Sequence, residues 1–174
     1  MLDVIIGGVH IPLLASVELN QEYNTLTATT EYRMGDGSFE SQTAWAGNRK
    51  LKTIITGRGQ IPVGLLSLNL PQKNLTISCT KRRAITSDSN VIVLPANRRS
   101  DAGAEPIGFV LNDAGWQSVN VTFNGDEATL DVVAWAKQYQ VEYYPEFLAN
   151  VKAPIERKER RGSAYSWSIE AEEM

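Results

Sequence analysis

The sequence predicts an all-β protein, an antiparallel β-sandwich or barrel with at most one short helix. Short runs of alternating apolar and polar residues recur along the chain, and Gly, Pro and Asn separate them. Two of the separating turns, Asp36-Gly37 and Asn124-Gly125, carry dipeptides that tight hairpins prefer because they tolerate positive φ. No segment shows the 3.6-residue apolar spacing of an amphipathic helix.

Composition predicts a single β-rich domain spanning residues 1–174. The 174 residues are 43% hydrophobic and 21% charged, which is enough apolar material for a core. The net charge of −3 argues against nucleic-acid readout and against an anionic membrane surface as partner. The lone cysteine, Cys79, excludes an intrachain disulfide and indicates a reducing compartment. Because Cys79 shares a strand face with Leu75 and Ile77, we expect a buried structural thiol.

The first half of the chain predicts a series of strands. The N-terminus reads as strand–turn–strand, and it is neither a signal peptide nor a membrane span because it lacks a basic start and is interrupted by Gly, His and Pro. A strand ending at Met34 and a return strand from Phe39 to Trp45 form a hairpin, and a third strand covers residues 50–56. Residues 57–59 (Gly-Arg-Gly) predict a strand end where the backbone must bend or approach another chain closely. Pro62 at a first helical position allows a short helix within residues 61–68.

The second half predicts further strands around two irregular segments. Residues 75–80 and 90–94 are expected to pair, with residues 81–89 as their connection. Residues 96–115 predict a surface loop that binds something or is mobile. A hairpin then turns at Asn124-Gly125, and alternation continues from Trp135 to Tyr143. The regular alternation of residues 165–171 predicts the last strand, with Tyr165, Trp167, Ile169 and Ala171 on one face.

Residues 31–66 also carry a family resemblance. The turn at Asp36-Gly37, the strand end Thr43-Ala44-Trp45 and the segment from Gly57 to Leu65, which contains G-x-G-x-I-P-x-G-L, resemble tail-tip or baseplate proteins of long, non-contractile-tailed bacteriophages (siphophages). The resemblance covers the first half of the chain. It implies a distal-tail-like structural protein of the virion, made in the host bacterial cytoplasm, with no enzymatic activity and no cofactor. It further implies a homo-oligomeric ring, hexameric or trimeric, whose neighbours are the tail tube, the hub and the tape-measure protein.

Charge patterning suggests where copies meet. The loop 152–162 carries five cations and two anions, a local charge of +3, whereas Glu170, Glu172 and Glu173 place −3 near the C-terminus. One interpretation is a solvated loop between strands. The other is a subunit interface in which the basic loop of one copy meets an acidic surface of its neighbour, as charge complementarity favours. The interface residues are then Arg157, Lys158, Arg160, Arg161 and the three glutamates. A terminal strand with an unpaired edge could also lock the ring by pairing with a neighbour's sheet.

Other classes of function have weaker support in the sequence. One His and one Cys, His10 and Cys79, cannot supply a zinc site. The Gly-Arg-Gly segment lacks the G-K-[ST] ending of a P-loop. A cell-wall hydrolase would need a pair of carboxylates to cleave a sugar linkage. The candidate carboxylates all lie on or near predicted hairpins, where acidic residues commonly form turns: Asp36, Glu40, Asp126, Glu127 and Asp131. The tryptophans are Trp45, Trp116, Trp135 and Trp167. If they are buried, they are part of the core. If they are exposed in a row, they favour the alternative function of a carbohydrate-binding module that recognises a bacterial surface glycan.

Overall fold

The computed structural model describes residues 2–11, 19–26, 29–43, 50–158 and 165–174. The described chain is nearly all-β, its strands pair antiparallel, and it contains one short helix of four residues. This confirms the predicted fold class. The predicted Trp45 and the basic residues Arg160 and Arg161 lie outside the described residues.

Seventeen strands and one helix are described. The first group comprises β1 (Val4–Ile6), β2 (Val9–Ile11), β3 (Asn20–Leu26), β4 (Thr29–Arg33), β5 (Phe39–Thr43), β6 (Lys50–Arg58), α1 (Val63–Leu66), β7 (Gln72–Ser78), β8 (Arg83–Ser87) and β9 (Val91–Val93). The second comprises β10 (Ile107–Asn112), β11 (Gly115–Val119), β12 (Val121–Asn124), β13 (Glu127–Leu130), β14 (Gln138–Tyr143), β15 (Glu146–Val151), β16 (Ile155–Lys158) and β17 (Tyr165–Glu173).

The chain divides into two compact units, each built from two separate segments. The first unit contains Met1–Ala15 and Thr76–Phe147, and the second contains Ser16–Leu75 and Leu148–Met174. That the two units make one domain stays a prediction.

The first unit buries one core between two sheets. A four-stranded sheet has the order β11-β10-β14-β8, and a three-stranded sheet has the order β12-β13-β9. Both sheets contribute buried side chains to one cluster: Ile92, Leu94, Val110, Ala128, Leu130, Tyr139, Val141 and Tyr143. Two sheets that share a core in this way form the sandwich-like arrangement that alternating strands predict. β1 pairs with β2 on one side and with the end of β7 on the other.

The second unit is organised around β6 and β17. β6 lies between β3 and β17, and its residues alternate between buried and half-buried up to Gly57. β17 pairs with β6 along one edge and with β15 and β16 along the other. Trp167, Ile169 and Ala171 are buried, which confirms the predicted inward face of the last strand.

Both predicted hairpins are confirmed. β4 and β5 pair from Thr29↔Thr43 to Arg33↔Phe39 around the Gly-containing turn, and β12 and β13 pair around Gly125, whose φ is +62°. β6 ends at Arg58, as predicted, and Gly57 closely approaches Trp167 of the same chain; an approach to another chain stays a prediction. A Cβ on Gly57 would lie 2.5 Å from Cζ2 of Trp167, so only glycine fits under this indole ring. α1 begins one residue later than expected, because Pro62 is its N-cap rather than its first residue.

Two predictions in the second half were wrong. The strands β7 and β9 do not pair with each other: β7 pairs with β1, and β9 pairs with β13. The segment between them is not a simple connection either, since β8 pairs with β14. The predicted surface loop 96–115 ends at Pro106, because residues 107–112 form β10 between β11 and β14. Gly108 in β10 is required where a Cβ would meet Val121 Cγ2 at 2.3 Å.

Candidate assembly surfaces

The C-terminal glutamates are engaged within the second unit. Glu170 lies 2.9 Å from the Lys52 ammonium and also accepts a hydrogen bond from Lys152. Glu172 lies 3.1 Å from Lys152, and a carboxylate oxygen of Glu173 accepts a hydrogen bond from the backbone N–H of Leu51 at 2.8 Å. The predicted acidic surface is therefore largely compensated by its own chain. Sequence patterns could not indicate this compensation, because only the pairing of β6 with β17 brings Lys52 opposite Glu172.

The pKa values record the same engagement. Hydrogen bonds from Lys152, and then from Lys52, lower the pKa of Glu170 from 4.5 to about 2. The reciprocal hydrogen bonds to Glu170 and Glu172 raise the pKa of Lys152. Both shifts favour the charged forms, so these groups stay ionised and paired at neutral pH.

The last strand is not a free edge. β17 has strand neighbours on both sides, so its backbone cannot add to the sheet of another copy in the way the sequence suggested. β1, the N-terminal strand, is likewise paired on both sides. The locking role predicted for a terminal strand is therefore wrong. Within the described residues, the second-unit strands with an open neighbour position include β3, β16 and the β4–β5 pair.

The β4–β5 hairpin is an exposed two-stranded sheet. Among the described residues it pairs with no third strand. Over residues 31–41 every side chain is exposed except Tyr32, which is half-buried and donates a hydrogen bond to Glu40 at 3.0 Å. Phe39 is 62% exposed. An isolated hairpin is marginally stable in water, so this one is expected to gain stability from a partner.

The turn of the hairpin is fixed by its own side chains. Asp36 Oδ1 accepts hydrogen bonds from the backbone N–H of Ser38 at 2.9 Å and from its hydroxyl at 2.6 Å. These bonds lower the pKa of Asp36. Gly37 has a φ of +87°, which a side chain at this position would disfavour. The Asp36 carboxylate is thus a turn-forming group.

The second unit also has an open groove of mixed polar and apolar lining beside α1. In α1 the Leu65 side chain is buried, whereas Val63 is 81% exposed and Leu66 is also exposed. A single helical turn points its side chains in different directions, so it cannot bury all of them. The groove has a volume of about 300 Å³. Its lining residues are Gln60, Ile61, Val63, Leu66, Glu156 and Tyr165.

One of the predicted basic residues, Lys158, lies beside this groove. Lys158 places its ammonium 5.6 Å from the centre of the Tyr165 ring, a cation–π contact. Arg157, its neighbour on β16, is exposed. The structure therefore places one of the four predicted basic interface residues, Lys158, beside a groove that sequence patterns did not reveal. The sequence signal for an exposed apolar surface here was the apolar run from Val63 to Leu66. Such a run has more apolar side chains than one face of a short helix can bury.

The described tryptophans have different environments. Trp167 is buried, whereas Trp116 on β11 is half exposed and Trp135 is 86% exposed. Trp135 also has a φ of +65°, a conformation that is unusual for a bulky residue and marks a candidate functional position. Trp135 lies in the connection between β13 and β14, so it does not extend a row of aromatic residues along one strand.

The loop before β10 is fixed by a buried arginine. Arg99 is 3% exposed and makes two hydrogen bonds to the Asp101 carboxylate, at 2.8 and 2.5 Å. It also donates to the carbonyl oxygens of Asp3 at 2.8 Å and Cys79 at 3.0 Å. A shallow pocket of about 190 Å³ lies beside this loop, but the arginines that line it are bonded to protein groups. Arg99 therefore has a structural role that its polar sequence context did not indicate.

The described part of the chain was also compared with the requirements of a metal site and of a membrane-spanning helix. Cys79 is buried, as predicted, and His10 is exposed with Nδ1 3.7 Å from Asp3. The described residues include no group of three or more His, Cys, Asp or Glu that could hold a metal ion. They also include no helix with the length and apolarity needed to cross a membrane.

Neither a scan against protein-family models nor a search of curated proteins finds a match for this chain.

Proposed function

We propose that this protein is a structural component of a siphophage tail tip or baseplate, where it forms a homo-oligomeric ring or collar that joins the tail tube to the hub. The resemblance of residues 31–66 to such proteins is one support. The observation that carries the proposal is the β4–β5 hairpin, which overlaps that stretch, exposes Phe39 and pairs with no third strand among the described residues. A hairpin of this kind is typical of proteins whose stability is completed by assembly.

In this proposal the chain acts by binding and positioning its neighbours. An open strand edge can take up a strand of a neighbouring chain, since backbone hydrogen bonds continue the sheet across the boundary. The interface between identical copies is then head-to-tail, and a ring of three or six copies closes when the rotation between neighbours permits it. The tail tube, the hub and the tape-measure protein are the proposed further partners.

The test is assembly in solution and with tail proteins. The mass of the purified chain is measured by light scattering, negative-stain images are taken of the same sample, and co-purification is measured with the tail tube and hub proteins expressed beside it. A discrete ring, or a stable complex with either tail protein, supports the proposal. A chain that stays monomeric and captures neither tail protein contradicts it.

A second candidate function is recognition of a bacterial surface glycan, and Trp135 is the observation that favours it. An exposed aromatic ring held in a costly backbone conformation is suited to stacking on a sugar. Titration with host cell-wall polysaccharide, monitored by tryptophan fluorescence, tests this function. Trp135→Ala should then abolish binding, and Trp116→Ala is the matched aromatic control. Equal binding by wild type and Trp135→Ala would exclude a role for this residue.

A further inference from the structure

We infer that the connection between β13 and β14 binds an uncharged polysaccharide, an inference that rests on the second candidate function and names its ligand class. This connection, residues 131–137, contains Trp135, which is 86% exposed. Val132 is 78% exposed and Ala134 is also exposed, so the Trp135 ring belongs to an apolar stretch in water. The apolar face of a sugar ring fits such a surface, because it stacks on an aromatic ring without needing a charge.

Backbone hydrogen bonds hold the connection at both ends. At its start, the N–H of Asp131 donates to the carbonyl oxygen of Asn120 at 3.1 Å. At its end, the N–H of Lys137 donates to the carbonyl oxygen of Leu111 at 2.8 Å. A segment that is ordered before it binds loses little conformational entropy when a ligand arrives. The exposed ring of Trp135 is therefore presented by a segment with a defined conformation.

An exposed ion pair lies beside the connection. Lys137 directly precedes β14, Asp113 directly follows β10, and the Lys137 ammonium lies 2.6 Å from the Asp113 carboxylate. Both side chains are exposed. An ammonium has three N–H donors and a carboxylate accepts several hydrogen bonds, so one mutual contact leaves both groups able to bond a further partner. Sugar hydroxyls both donate and accept hydrogen bonds, and two neighbouring hydroxyls therefore match an ammonium beside a carboxylate.

Charge selects an uncharged polysaccharide over an anionic one. Lys137 is the one cation in the sequence of residues 131–137 and of the turn between β10 and β11, and Asp113 compensates it. Asp131 adds a carboxylate, which accepts a hydrogen bond from the Asn120 side chain at 2.9 Å. The first unit carries six cationic and ten anionic side chains, a net charge of −4. A polymer of phosphate or uronate groups is repelled by this charge, whereas an uncharged sugar is not.

The test uses the full chain and two probes, the neutral and the anionic fractions of host cell-wall polysaccharide separated by anion exchange. Binding is measured by isothermal titration calorimetry, which reads Trp135 variants and wild type in the same way. Wild type should bind the neutral fraction about tenfold or more tightly than the anionic fraction. Trp135→Ala should lose binding of the neutral fraction, because the stacking ring is gone.

Two variants test the ion pair. Asp113→Ala removes the acceptor and leaves Lys137 unpaired, so it should weaken binding of the neutral fraction about tenfold and strengthen binding of the anionic fraction. Lys137→Met removes the donor and leaves a carboxylate, so it should weaken binding of both fractions. The matched controls, Glu127→Ala and Arg83→Met, replace exposed charges of the same unit at the other ends of β13 and β14, and they should bind as wild type does. A loss of folded protein weakens binding of both fractions, so it cannot produce the gain expected for Asp113→Ala.

Three results would overturn the inference, and they separate it from the proposed functions. If wild type binds the anionic fraction as tightly as the neutral one and Trp135→Ala abolishes both, glycan recognition stands and the ligand class is wrong. If Asp113→Ala and Lys137→Met both bind as wild type does, the ion pair has no part in the site. If neither fraction binds wild type, glycan recognition fails together with the ligand class, while co-purification with the tail tube or hub protein still decides the tail-tip function.

Discussion

Replacing Arg99 by Met should destabilise the first unit by about 3 kcal/mol. Arg99 is 3% exposed, and its guanidinium donates to the carbonyl oxygens of Asp3 and Cys79 at 2.8 and 3.0 Å. A hydrogen bond from a charged donor contributes about 1.5–3 kcal/mol, and a buried carbonyl left without a donor is costly. Asp101 is 45% exposed and regains water when Arg99 is lost, so its part of the cost is small. Two buried bonds at the lower end of that range give the figure of about 3 kcal/mol.

The assay is hydrogen exchange measured by mass spectrometry on peptides that contain Cys79 and Arg99. Arg99→Met should speed exchange at the Cys79 segment by about a hundredfold, which corresponds to about 2.7 kcal/mol. Arg83→Met, an exposed position on β8, is the control and should change exchange little. A destabilisation below about 1 kcal/mol would show that water replaces the guanidinium at these carbonyls, and the reasoning would fail.

Three further predictions concern single positions. Gly57→Ala should lower the free energy of unfolding by about 1–3 kcal/mol, because its Cβ meets Trp167; thermal denaturation measures this, and an unchanged midpoint contradicts it. Glu170→Gln should cost about 1 kcal/mol at pH 7, because it removes the negative charge that faces the Lys152 and Lys52 ammonium groups. The folded pKa is depressed from 4.5 to about 2, so that stabilisation is complete above pH 4.5 and lost as pH falls towards 2; urea titrations should show wild type and variant converging there. Trp135→Gly should raise the free energy of unfolding by about 0.5–1 kcal/mol. The positive φ costs a non-glycine residue about 1–2 kcal/mol, and the greater backbone freedom of glycine in the unfolded chain offsets part of that gain. A lowered melting temperature would contradict this prediction.

Local signals in the sequence predicted the hairpins well. The turns at Asp36-Gly37 and Asn124-Gly125 determine which strands meet within a few residues, and both hairpins formed as expected. Alternation likewise identified the buried face of β17. These predictions succeed because turn geometry and side-chain period are properties of short segments.

Long-range pairing could not be predicted in this way. β7 and β9 have the pattern of partners, but pattern alone does not say which of several alternating strands lies beside which. β10 was missed because Gly108 interrupts its apolar run. The glycine is there because Val121 packs against that backbone, and such close approach is a recognised meaning of glycine in a strand. The burial of Arg99 in a polar run had no local signal at all.

The charged segments show why surfaces are harder to predict than strands. By sequence, the C-terminal glutamates were an acidic surface available to a neighbour, yet antiparallel pairing places Lys52 opposite Glu172 and brings Lys152 to Glu170. Only the charges that the chain itself leaves uncompensated can attract a partner, so the net charge of a surface has to be counted on the folded unit. If the copies of the proposed ring meet through charged surfaces, assembly should weaken as salt rises from about 0.05 to about 0.5 M, roughly as the screening length falls from above 10 Å to below 5 Å. A ring indifferent to salt over that range would mean that apolar contacts or strand pairing, rather than charges, hold the copies together.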